Sequence, residues 1–238
     1  MFKPESLLLI DIETVPLHKS YHELSQRMKV LWDKKAQLID KENVDSEQLF
    51  SDRAGIYAEF GKIICIGLGY FTKVADGYQL RVKSLANDNE EDLLSSFSTV
   101  CNKFFTSPQK QFCGHNIREF DIPYICRRSF INQVTLPQIL ADLQNKKPWE
   151  NPMLDTMQFW KFGEYKNFVS VDLLSAVLQI DSPKSDIDGS EVAQVYWQQN
   201  DLNRIVEYCN RDVVTVAQIL MRLNGFDLLK EEQILYPD

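Results

Sequence analysis

The sequence predicts an α/β domain built on a mixed sheet. Three observations carry that expectation. Strand-like segments come first and nearly consecutively, helical patterns then alternate with strands, and no Gly- or Pro-rich linker divides the 238 residues. Consecutive strands pair as an antiparallel meander, whereas strands separated by helices lie parallel through crossovers. The length suits one domain, 1–238, with a substantial insertion.

Residues 6–12 (SLLLIDI) are short and apolar, as a buried strand is. From Ser20 to about Phe60 the pattern is helical, with Leu24, Met28, Leu31 and Trp32 on one face among many charges. This stretch, about 19–60, reads as a helical insertion between two strands. Lys62 to Thr72 is an Ile-rich strand, and Gly77 to Leu85 alternates as its hairpin partner across the turn Ala75-Asp76-Gly77.

A helix is predicted over 90–105, led by Asp88 and Asn89 as caps and by acids in its first turn. QFCGHN (111–116) is a short strand ending in Gly and two polar residues. Pro123 stands in the first turn of the helix that follows, which runs to about Phe130. Residues 132–168 read as irregular and aromatic. Helical patterns return at 170–179, 189–199 and 201–223, with Asn200 separating the last two.

Composition narrows the function. With 44% hydrophobic residues the chain can bury a core, and no apolar run approaches the roughly 20 residues of a membrane span. The N-terminus places acids inside and behind a short apolar run, unlike a secretory signal. Five cysteines, odd in number and without CxxC, suit reduced thiols in the cytoplasm. A net charge of −8 argues against a protein that coats nucleic acid electrostatically. It leaves room for an enzyme that meets nucleic acid at one site through bound metal.

Asp11-Ile12-Glu13 ends the first strand. Residues two apart project to one side, so both carboxylates point together from an otherwise apolar strand. Such a pair is costly unless a cation neutralises it. D-x-E alone is a weak motif, ordinarily a polar surface; Asp40-Lys41-Glu42 and Asp88-Asn89-Glu90 repeat it in segments that read as solvated. The buried strand distinguishes the first pair.

In Gly114-His115-Asn116-Ile117-Arg118-Glu119-Phe120-Asp121, Asp121 precedes Pro123 by two residues. Taken alone it reads first as a helix cap, and His115 as a packed or hydrogen-bonded side chain. Tyr208 and Asp212, in Tyr208-Cys209-Asn210-Arg211-Asp212, share a face of the last long helix. Packing explains that Asp poorly, although Arg211 and Glu207 could form ordinary surface pairs.

Other constellations are weaker. His18 and His22 have the spacing of a zinc pair, but only three His exist and no HExxH is present. GxxxxGK[ST], GxGxxG and GxSxG are absent. Between Lys146 and Phe168, six aromatics interleave with Lys146, Lys147, Lys161 and Lys166. Such a mixture can stack bases, although aromatics at this density ordinarily belong to a core.

In this order, D-x-E, N-x3-F-D and Y-x3-D resemble the motifs of the DEDD 3′–5′ exonucleases of the DnaQ-like, ribonuclease H-like superfamily, in the tyrosine variant. The chain is similar to bacterial predicted exonucleases related to the proofreading domain of family B DNA polymerases. The similarity runs through EFGKIICIGLGYF, KPWE, LDTMQFWKFGEYKN, SPKSDIDGSEVAQVYW and YCNRDVV, nearly the whole chain. It implies a five-stranded mixed sheet flanked by helices and a two-metal site of Mg²⁺ or Mn²⁺. Asp11 would bridge the ions, Glu13 and Asp212 would complete the first, and Asp121 would hold the second. Tyr208, with Glu13, would position the attacking water. Four carboxylates are hard ligands that suit these ions and not zinc.

The implied reaction removes nucleotides from the 3′ end of single-stranded or frayed nucleic acid, DNA before RNA. An exoribonuclease and a catalytically silent nucleic-acid-binding module are the alternatives. Asn116, Phe120 and Lys184 are the expected nucleic-acid contacts, although a loop lysine such as Lys184 is ordinarily just exposed. Asp155, in LDTM, reads as a strand end near the metals but not as one of the ligands. No polymerase domain follows, so proofreading in cis is not expected.

Overall fold

The computed structural model describes residues 3–41, 45–181 and 187–237. Among the described residues, six strands form one mixed sheet: β1 (Leu7–Pro16), β2 (Gly61–Val74), β3 (Gly77–Ala86), β4 (Gln111–Gly114), β5 (Met153–Asp155) and β6 (Ile234–Leu235). Their order is β5-β4-β1-β2-β3-β6. β1, β2 and β3 are the expected antiparallel meander, and β4 and β5 continue it in parallel beside β1. The five-stranded expectation is corrected by β6, which pairs parallel to β3. A two-residue strand is too short to show a period in sequence. It is held instead by tertiary contact, including Gln233 Nε2 donating to Tyr78 O at 3.0 Å.

The helices are α1 (Gln26–Ile39), α2 (Ser46–Arg53), α3 (Glu90–Phe104), α4 (Asp121–Ile131), α5 (Gln138–Ala141), α6 (Thr156–Lys161), α7 (Val171–Val177), α8 (Val192–Gln194) and α9 (Leu202–Leu223). The stretch expected to be irregular holds α5 and α6, each at most six residues long, and β5, which ends at Asp155 as expected. The helix expected at 189–199 starts at Val192 and changes to a π turn at Val195, ending at Asn200 with φ 53°.

β1 sorts its side chains by parity, as a strand must. Leu8, Ile10 and Ile12 pack with Leu93 and Phe97 of α3 and with Ile122 and Ile125 of α4. Leu7 and Leu9 pack on the other face with Val213, Val216 and Leu220 of α9. The sheet is therefore covered on both faces. β1 runs four residues beyond the predicted end at Ile12, because pairing with β2 continues to Pro16 after a bulge at Glu13/Thr14. Both acids consequently lie within the strand, next to a bulge of the kind that re-aims side chains beside functional sites.

Between β1 and β2, α1 and α2 enclose a small core of Trp32, Ala36, Phe50 and Phe60. Leu31, expected on the buried face, is 44% exposed; one helical step of about 100° turns it away from Trp32. Ser25 and Asp45 cap the two helices.

The Asp88-Asn89-Glu90 segment is not solvated throughout, as expected, because Glu90 is buried. Its carboxylate pairs with Arg128 and accepts from Ile63 N and Asn132 Nδ2. Glu42 lies outside the described residues.

Candidate active site

α9 approaches the sheet closely because β2 carries glycine beneath it. Gly67 pairs with Asp11 across the ladder. A Cβ on Gly67 would stand 2.7 Å from Cys209 Sγ and 2.9 Å from Val213 Cγ2. Only a bare backbone fits there, and the close approach carries Tyr208, Cys209 and Asp212 over the strand that holds the acidic pair.

Asp11, Glu13 and Cys209 each present one ligand atom within 4.8 Å of the others. The Cys209 thiol donates to Asp11 Oδ2 at 3.5 Å. The sequence reading counted Cys209 among the reduced thiols and gave it no place in the site. Its signal was its position three residues before Asp212, which places both on one helical face.

Asp121 comes from the opposite helical layer and reaches the edge of the pair. Its Oδ1 accepts the Ile12 N–H at 3.1 Å. Asp121 is not the cap expected from sequence, for it is the first helical residue and Phe120 occupies the cap position without a side-chain bond. Among the expected ligands, Asp121 and Asp212 lie close enough to act electrostatically on both Asp11 and Glu13.

Electrostatics favours positive charge at this cluster. Burial, followed by the neighbouring carboxylates, holds Asp11 and Glu13 well above the usual carboxylate range. Burial pushes Asp121 up to about 7, opposed by the N–H groups of Asp121 and Ile12. Burial pushes Asp212 up to about 6, opposed by the Tyr208 hydroxyl that donates to it and by Arg211. Burial raises Tyr208 as well, with Asp212, Glu13 and Asp11 adding to it. A cluster of oxygen donors, each carrying a cost when ionised, fits hard divalent cations.

Asp155 is committed elsewhere. Its Oδ1 accepts N–H groups of Asn116, Met157 and Gln158, and its Oδ2 accepts that of Arg118. These bonds fasten the turn that leads to Asp121. His115 Nδ1 lies 2.9 Å from Thr156 Oγ1 and Nε2 lies 2.7 Å from Val169 O, which makes it a packed, bonded histidine. Burial pushes its pKa down.

Asn116 adopts φ 64°, and its buried Oδ1 has no hydrogen-bond partner among the described residues. Phe120 lines a cleft of about 290 Å³ together with Glu13, Thr14, Gly55, Ile56 and Gly189. Lys184 lies outside the described residues. His18 and His22 each face a glutamate, Glu23 at 3.9 Å and Glu47 at 3.1 Å, which leaves them in surface pairs.

No curated protein matches the sequence. A solved structure titled "ExoI/SSB-Ct complex" is similar at 11% identity with a TM-score of 0.37, over 85% of this chain and 42% of that one. So distant a likeness carries no argument about chemistry, and the chain spans well under half the length of that protein. A family model described as "Predicted 3'-5' exonuclease related to the exonuclease domain of PolB" matches residues 56–231, which include Asp121, Tyr208 and Asp212. Asp11 and Glu13 precede the matched region, and the β1–β2 pairing brings them to those residues. With well over half of its length matched, the chain belongs to the family of predicted 3′–5′ exonucleases related to the exonuclease domain of PolB.

Proposed function

We propose that the chain is one metal-dependent 3′–5′ exonuclease domain with a helical insertion, of the tyrosine type. It hydrolyses phosphodiester bonds from the 3′ end of single-stranded or frayed DNA in preference to RNA. The observation that carries this reading is the meeting of carboxylates from β1, α4 and α9, all with raised proton affinity. Asp11 would be shared between two divalent cations, Mg²⁺ or Mn²⁺, with Glu13 and Asp212 on the first and Asp121 on the second. Bound there, the cations would draw in the phosphate and stabilise the departing 3′-oxygen.

The chain's own groups do the rest. Tyr208 keeps its proton because its pKa is raised and donates it to Asp212, so its hydroxyl oxygen is free to accept from the attacking water and, with Glu13, orients it. The bond from Ile12 N–H fixes one oxygen of Asp121 and leaves the other for a cation. The ring of Phe120, which lines the cleft with Glu13, supports a contact to the terminal nucleotide, with Asn116 four residues before it as a second proposed contact. The five unbridged cysteines fit a cytoplasmic location.

A panel of end-labelled single- and double-stranded DNA and RNA tests the reading, with Mg²⁺, Mn²⁺ or EDTA. Stepwise shortening from the 3′ end, abolished by EDTA, is expected. Internal cuts first, or undiminished turnover in EDTA, would overturn it.

A further inference from the structure

The loop joining α6 to α7 exposes aromatic rings that no packing requirement explains. Phe162 is 87% exposed, Tyr165 89% and Phe168 66%. An apolar ring left in water contributes almost nothing to folding. Phe162 is also poorly placed for its backbone, because it ends α6 in the left-handed region at φ 47°, where glycine or asparagine is the ordinary choice. The residue that would relieve this, Gly163, comes one place later at φ 88°.

The loop is anchored beside the carboxylate cluster at both ends. On the α6 side, Gln158 Nε2 donates to Glu119 Oε1 at 3.2 Å, two residues before Asp121. On the α7 side, Val169 O meets His115, and the charge of Asp172 acts on Asp212. The loop that carries these rings therefore leaves from and returns to elements that adjoin the proposed site. Lys161 is buried and packs its Nζ 4.4 Å from the centroid of Phe168, whereas Lys166 is exposed in the same loop and open to a phosphate. Bases offer flat faces of any sequence to rings, and lysines offer charge to phosphates.

We propose that this loop is a stacking platform for the single strand behind the nucleotide being removed, a proposal that rests on the exonuclease reading above. The carboxylate cluster grips only the terminal phosphodiester, and a chain with net charge −8 has little general attraction for the remaining phosphates. Stacking on Phe162 and Tyr165 supplies affinity that such a charge does not oppose. A shallow salt dependence follows, with few counterions released per strand bound.

The test uses the full chain with Ca²⁺ and a 5′-fluorescein oligothymidylate about 16 nucleotides long. Phe162→Asn/Tyr165→Ser is expected to raise Kd at least about 10-fold. Its Tm should equal or exceed the wild-type value, because Asn accepts the left-handed backbone. If that variant melts early, Tyr165→Ser alone asks the same question at a ring exposed to solvent, with at least about a 3-fold rise expected. With Mg²⁺, the variants should lose more kcat/KM on the long strand than on a dinucleotide.

An affinity within about 2-fold of wild type would overturn the platform, as would equal losses on long and short substrates. So would a change in self-association with nucleic-acid affinity intact, which would make the patch a contact between copies. In those cases wild-type hydrolysis leaves the exonuclease reading standing. If the wild type neither binds nor degrades any strand, that reading falls and the platform with it.

Discussion

The backbone N–H of Ile12 donates to Oδ1 of Asp121 at 3.1 Å, so the middle residue of the D-x-E pair holds a third carboxylate from the opposite helical layer. Asp121→Asn can keep this bond through its amide oxygen while losing the charge. Hydrolysis should fall at least about 100-fold with the fold intact. In EDTA at alkaline pH, Tm should rise, because one buried anion has been removed. Wild-type turnover, or a collapsed circular dichroism spectrum, would contradict the assignment of Asp121.

The proton affinities set a stability profile. Asp121 and Asp212 stand at about 7 and about 6 in the fold, against an ordinary 3.8. The folded state therefore binds protons more tightly than the unfolded chain does. Their contribution is fully present below about pH 4 and is lost as pH rises through about 7. The loss should be a few kcal/mol in metal-free protein. Calorimetry in EDTA should show Tm falling over that window, and Mg²⁺ should restore it at pH 8. A metal-free Tm that climbs from pH 4 to 8 would count against the cluster.

Much of this site was legible in the sequence, for local reasons. Alternation puts Asp11 and Glu13 on one side of β1, and helical spacing puts Tyr208 and Asp212 on one face of α9. What was misread depends on long-range partners. Asp121 looked like a cap because local spacing allows it, but its partner is Ile12, 109 residues away. Glu90 looked solvated in a helix's first turn until Arg128 met it from α4. β6 is too short for any period to register, whereas the strand end read at Asp155 is the end of β5.

Gly67 tests whether the close approach of α9 positions the site. In Gly67→Ala the new Cβ must displace Cys209 Sγ at 2.7 Å and Val213 Cγ2 at 2.9 Å. Overpacking of this kind costs about 1–3 kcal/mol. The helix should also shift Tyr208 and Asp212 away from Asp11, and a misplacement of ~1 Å can cost about 100-fold in rate. Urea titration and kcat measured well below Tm separate the two effects. A stable, fully active Gly67→Ala would show that the approach is not needed.

Asp155 should behave unlike the ligands although it too is a buried acid. It accepts four backbone N–H groups, that of Met157 buried and the other three part-buried, so Asp155→Ala leaves those donors without their partner. Each unsatisfied group costs about 1–3 kcal/mol, and the variant should unfold early whether or not metal is present. Metal titration separates the classes: Mg²⁺ should stabilise Asp155→Ala, to the extent that it folds, but not Asp11→Ala.

Tyr208→Phe separates orientation from metal binding. The ring and its packing remain, while the hydroxyl that donates to Asp212 is lost. That bond holds the Asp212 pKa down, so its removal should move Asp212 further up from about 6. At about pH 8.5, where Asp212 is ionised in both proteins, Mg²⁺ affinity should change little. The rate should still fall by about 10–1,000-fold, because a water-orienting group has gone while the cations remain. Near neutral pH a second loss should appear as protons compete for Asp212, shifting the acid limb of the profile to higher pH. Full activity for Tyr208→Phe at pH 8.5 would remove Tyr208 from the mechanism. An equal loss of rate and of Mg²⁺ affinity would make it a support for the metal site instead.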